Sequence, residues 1–155
     1  MANASDAYFR NAVLTAPPEQ LHLMLYDGAI RFTRQGIEGL ESKNLESAFN
    51  GFSRAQKIVL EMLNSLNYKV DPVLCRRMAS LYNFIYRKLV ESSVQRDPAP
   101  ARDALKLLEY QRETWVMLIE KLREERTGTA AGTNEPASPS PESVEAEYGT
   151  LSVQG

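Results

Sequence analysis

Four breaks divide the first 126 residues, and each carries the chemistry that starts an α-helix. They read Thr15-Ala-Pro-Pro, Ser42-Lys-Asn, Asn67-Tyr-Lys-Val-Asp-Pro and Arg96-Asp-Pro-Ala-Pro. Pro18, Pro72 and Pro98 suit a first helical position, where a missing N–H costs nothing. Asn44, Asp71 and Asp97 suit the N-cap, where a side-chain oxygen takes up an orphan backbone donor. The breaks predict helices over about 18–42, 44–66, 72–95 and 98–126. No alternating strand pattern competes with them.

At about 100° per residue, three of these helices show one apolar side. The second gathers Leu45, Ala48, Phe49, Phe52, Ala55, Val59, Leu60, Met62, Leu63 and Leu66, opposite Asn50, Arg54, Lys57 and Glu61. The third gathers Leu74, Met78, Leu81, Tyr82, Ile85, Tyr86 and Leu89. The fourth gathers Ala104, Leu105, Leu108, Trp115, Leu118, Ile119 and Leu122, while Tyr110 and Met117, seven apart, make a small apolar stripe elsewhere. Long amphipathic helices with short connections predict an all-α, antiparallel up-and-down four-helix bundle. The expected organisation is a mobile N-terminal arm over 1–16, the bundle over 17–126 and a disordered tail over 127–155.

The first helix is the unusual one. Asp27 and Gly28 stand side by side within the apolar run LHLMLYDGAIRF, although glycine costs a helix about 1 kcal/mol and an unpaired carboxylate cannot enter a dry core. Asp27 falls on a narrow polar side with Arg31, Arg34 and Glu38, and its i,i+4 neighbour Arg31 is the expected partner. Gly28 falls with Leu21, Leu25, Phe32, Gly36 and Gly39, where small residues let a neighbouring helix come close. Leu23, Tyr26, Ile30 and Ile37 form a further stripe, which widens the apolar arc to roughly 220° against a usual minimum of about 100°. Either this helix sits centrally among its partners, or an apolar groove lies open for a binding partner. Tyr8, Phe9, Val13 and Leu14 are placed to fold over such a groove as a removable cover.

Composition sets the outer limits. A chain of 155 residues with 43% hydrophobic content suits one globular domain. The tail's four glutamates and lack of Lys or Arg give it −4, so the formal charge of −2 leaves +2 for residues 1–126. A nearly neutral body and a pI near 5.5 give no general attraction to nucleic acid or anionic lipid. A single cysteine, Cys75, forms no internal disulfide. No stretch approaches a membrane span, and the start MANASDAYFR lacks the pattern of a signal peptide. The cytosol is the expected compartment.

Catalytic chemistry finds little foothold. Glu19-Gln20-Leu21-His22 has the Glu-x-x-His spacing of di-iron bundles, but such sites need two copies and this chain has one histidine. Cys75 on the third helix reads as a buried thiol rather than a nucleophile. Neither GxxxxGK[ST] nor GxGxxG occurs. Arg76-Arg77 and Arg87-Lys88 are short basic pairs of the kind found on solvated helix faces. No enzyme activity, metal or cofactor is expected.

Three ordered blocks, TAPPEQLHLMLYDGAIRF, LYNFIYRKLVES and LLEYQRETW, resemble the FliS family of flagellar export chaperones over about Tyr8 to Arg126. The resemblance implies a helical bundle that binds the disordered C-terminal region of flagellin in the bacterial cytosol, prevents premature polymerisation and presents it to the export gate. The implied partners are that flagellin segment, an export-gate component and regulators of flagellin expression. Tyr8 matches the family's N-terminal tyrosine, Leu23 to Gly28 the first-helix signature, and Leu81 to Arg87 and Arg112 to Trp115 the later blocks. Pro17 replaces a frequent serine cap, and the tail after Arg126 is longer than the family's usual end. Joined with the residue reading, this gives a partner-binding set of Tyr8, Val13, Leu14, Leu23, Tyr26, Ile30, Ile37, Tyr110 and Met117. An all-helical regulatory protein that sequesters a regulator is the rival reading.

Overall fold

A computed structural model describes residues 18–132, which form four antiparallel helices: α1 Pro18–Glu41, α2 Leu45–Asn64, α3 Pro72–Gln95 and α4 Pro98–Gly132. The expected caps are in place. Asn44 accepts from the Ser47 N–H at 3.1 Å, Asp71 from Leu74 at 3.0 Å and Asp97 from Ala99 at 3.0 Å. The α1–α2 turn closes with Lys43 in the left-handed region at φ 58°, donating to the Leu40 carbonyl, while the Asn44 N–H reaches Gly39. Such a turn is usually given to glycine. In the α2–α3 loop, Asn67 Oδ1 accepts from the Lys69 N–H and its carbonyl accepts from the Cys75 thiol at 3.2 Å. α4 runs past the expected end at Arg126 to Gly132.

Each helix packs on its sequence neighbours, and α1 also packs on α4, so the four stand at the corners of a square. The α1–α2 edge is the tightest. A Cβ on Gly36 would lie 2.4 Å from the Phe52 ring, and one on Gly39 would lie 2.4 Å from the Ala48 backbone nitrogen. Those glycines therefore exist for close approach, as their wheel position implies.

The second stripe of α1 is closed, because α4 covers it. Tyr26, Ile30 and Ile37 are 2%, 5% and 7% exposed, and Leu23 is half-buried. These residues lie toward the side of α1 from which Arg34 reaches Glu109 at 2.8 Å and Asp27 reaches Arg112, both on α4. α1 is thus central, and the expectation of an open groove along Leu23, Tyr26, Ile30 and Ile37 is corrected. Asp27 is held by Arg112 on α4 rather than by Arg31, whose guanidinium stacks 4.7 Å from the Phe32 ring.

Candidate functional site

The apolar surplus sits elsewhere. On α2 the core takes Ala48, Phe52, Ala55, Val59 and Met62. Leu45, Phe49 and Leu60, expected beside them, are 44%, 63% and 41% exposed. With Gln56 they line the edge of α2 that faces α3, since the opposite edge turns Arg54 onto Phe32 of α1. Across from them α3 presents the half-buried Ala79, Tyr86, Val90 and Ser93. At the Leu45 end the two edges part into a cleft of about 150 Å³ lined by Leu40, Leu45, Phe49, Phe52, Ser93 and Arg96.

The rim of this flank leans positive. Lys57, Arg76, Arg87 and Arg96 stand against Glu46 and Glu61, all exposed. Among the described residues none of those four cations takes part in an ion pair. An oily strip beside unspent positive charge fits an amphipathic, acid-leaning peptide.

Two other surfaces differ in kind. Tyr110 and Met117 on α4 are 68% and 60% exposed, so the small stripe is open, and it lies on a single helix. Over the outer side of α1 runs a groove of about 890 Å³ in which Arg31, Arg34, Arg54 and Arg112 are matched by Asp27, Glu38, Glu109 and Glu113. Equal charge of both signs, much of it paired across helices, makes this groove a fastening more than a seat.

The remaining chemistry-bearing residues are built into the packing. His22 stands edge-on to Tyr26 at 5.0 Å and tilted against Trp115 at 4.5 Å, and burial pushes its pKa down to about 4. Trp115, expected in the core, is half-buried with its indole N–H donating to the Glu19 carbonyl at 2.9 Å. The Tyr26 and Tyr82 hydroxyls meet at 2.7 Å in the core, and burial pushes both phenols above their ordinary range. Tyr8, Val13 and Leu14 lie outside the described residues, and the α1 groove they were expected to cover is closed.

The three sequence blocks therefore meet one another: Tyr26 touches Tyr82, Asp27 holds Arg112, and Trp115 is tied to the first turn of α1. A family model described as "Flagellar protein FliS" matches residues 1–122. The chain belongs to the FliS family. It is 30% identical over 127 residues to the "Flagellar secretion chaperone FliS" of Bacillus subtilis strain 168, covering 82% of this chain and 94% of that protein. It is 21% identical over 112 residues to the protein of the same name from Campylobacter jejuni, covering 72% of this chain and 88% of that one. The FliS blocks thus fasten the bundle internally, while on the exposed flank only the α3 edge, with Tyr86, Arg87 and Val90, belongs to one of them; the α2 edge with Leu45, Phe49 and Leu60 lies in none. The signal that pointed to it was the width of the apolar arc on α2, ten residues all assigned to the core.

Proposed function

We propose that this chain is a flagellar secretion chaperone that holds the disordered C-terminal region of flagellin in the cytosol, keeps it from polymerising and delivers it to the export gate. The printed names of the two relatives support the chaperone role, and the resemblance of the sequence blocks supplies the client. The proposed seat is the α2–α3 flank, extended by Tyr110 and Met117 on α4. The observation that carries this is Phe49, a large aromatic left 63% exposed three residues from Phe52, which is fully buried.

The mechanism needs no reaction. Flagellin's apolar residues lie against Leu45, Phe49 and Leu60, Gln56 offers a polar anchor within the strip, and the rim cations select an acid-leaning segment. Ordering a disordered client costs about 2–5 kcal/mol of the contact energy. A segment long enough to engage both the flank and the α4 stripe offsets that cost. Assembly-competent flagellin surfaces are masked while bound. The rigid, sealed side of α1 and α4 keeps the chaperone folded throughout.

Co-purification with flagellin carrying or lacking its C-terminal region tests the reading. Retention of the whole client with loss on truncation is expected. Equal retention of both forms would overturn it.

A further inference from the structure

The family match ends at residue 122 and α4 at Gly132, so residues 133–155 lie outside both the matched family region and the described helices. Most of that stretch is polar, yet its last part, SPESVEAEYGTLSVQG, turns apolar again. Val144, Tyr148 and Leu151 follow an i, i+4, i+7 spacing, which sets them on one side of a helix, and Glu142, Glu145 and Glu147 are interleaved with them. The segment contains no Lys or Arg. Its chemistry is therefore that of the peptide the α2–α3 flank fits: an oily edge with negative charge beside it.

We propose that the C-terminal segment 141–153 docks onto the α2–α3 flank of its own chain and occupies it as a built-in stand-in for the client. Val144, Tyr148 and Leu151, about 10 Å from first to last as a helix, lie along the Phe49-to-Leu60 stretch of the strip, and the glutamates face Lys57, Arg76 and Arg87. The reach suffices. α4 has 35 residues to the 24 of α3, so it overshoots the end of the bundle by about 16 Å. The twelve residues from Gly132 to Val144 span up to about 40 Å, enough to return along that overshoot and reach the Leu60 end of the flank. A tether of this length holds the segment at about millimolar effective concentration, so even a weak contact is populated.

The other surfaces fit the segment less well. Beside Tyr110 and Met117 the solvent side of α4 carries Glu113, Glu120 and Glu124 against Lys106 and Lys121, so it can take apolar residues but lacks the positive rim that the segment's glutamates meet on the α2–α3 flank. The groove over α1 already balances its arginines with carboxylates. Residues 1–17 hold Asp6 and Arg10, with no net charge to match the basic rim.

The docking itself is tested without any client, in the full-length protein carrying a benzophenone side chain in place of Tyr148. Illumination is expected to give a product of monomer mass whose cross-linked peptide falls within 45–64 or 72–95. Lys57→Glu with Arg87→Glu should cut its yield at least about fivefold, with the helical content and melting of the full chain unchanged. Cross-links to α1 or α4, cross-links only between copies, or none at all would overturn the proposal. Its regulatory meaning rests on the flank being the client's seat, and a second variant separates the two claims. Tyr148→Ser with Leu151→Ser in the full chain should tighten binding of a flagellin C-terminal peptide about tenfold. Unchanged affinity alongside a positive cross-link would leave the docking standing and overturn the flank as the seat of the client.

Discussion

The α1–α4 side and the α2–α3 side of this bundle are both rich in apolar residues, and they use them in opposite ways. On the first, glycines at 36 and 39 draw α2 in, the long α4 closes over Tyr26, Ile30 and Ile37, and ion pairs Arg34–Glu109 and Asp27–Arg112 stitch the outer edge. On the second, Leu45, Phe49 and Leu60 are left in solvent beside a cleft. The difference teaches that an excess of apolar arc marks a helix with more than one neighbour to cover, or a helix with a guest to receive. Only the position of the helix in the square decides which.

Charge substitutions break that comparison most sharply. Ile30→Glu or Ile37→Glu forces a carboxylate into the sealed side, at positions 5% and 7% exposed, and should cost about 4–5 kcal/mol or prevent folding. Phe49→Glu, at 63% exposure, should move stability by no more than about 0.5 kcal/mol. Chemical denaturation followed by circular dichroism measures both. Equal losses at the two kinds of position would erase the distinction between the sides.

Acid reaches the sealed side through His22. His22 is neutral in the folded protein because burial holds its pKa at about 4, below its ordinary 6.5, so the unfolded chain takes up the proton first. Its contribution is complete above pH 6.5 and is lost as pH falls toward 4, at about 1.4 kcal/mol per pH unit at the steepest. Tyr26 and Trp115 pack on the imidazole, with Glu19 one turn before it on α1 and Arg126 opposite from α4 at 3.6 Å from Glu19. Melting temperatures of the native protein and of His22→Gln should converge between pH 6.5 and 4. Parallel curves would remove His22 from the account.

Smaller effects sharpen the picture. Thr33 is fully buried in α1 with its hydroxyl unbonded, so Thr33→Val should stabilise by about 1 kcal/mol in a thermal melt. A loss instead would mean that the hydroxyl has a partner. Lys43→Gly relieves the left-handed turn at φ 58° and should add about 0.5 kcal/mol, leaving client binding untouched.

Much of this architecture was legible in the sequence because caps and breaks act locally. Asn44, Asp71 and Asp97 bond to residues two or three positions away, so no tertiary knowledge was required to place them. Which side of a helix is covered was less legible, because a wheel gives angles and not neighbours. Leu45, Phe49 and Leu60 lie near enough to Phe52 in angle to read as core, and so do Leu74 and Leu118, which are 49% and 42% exposed, on their own helices. The partner of Asp27 is hidden from sequence for a related reason: Arg31 is near along the chain, while Arg112 is 85 residues away and is brought close only by folding.

The central claim is that the client sits on the open flank and not on the α1 stripe. Calorimetric titration of a flagellin C-terminal peptide into the full chain bearing Phe49→Glu and Leu60→Glu measures this directly. The account predicts affinity lowered at least about 100-fold with an unchanged melting temperature. Native affinity in that folded variant would contradict it.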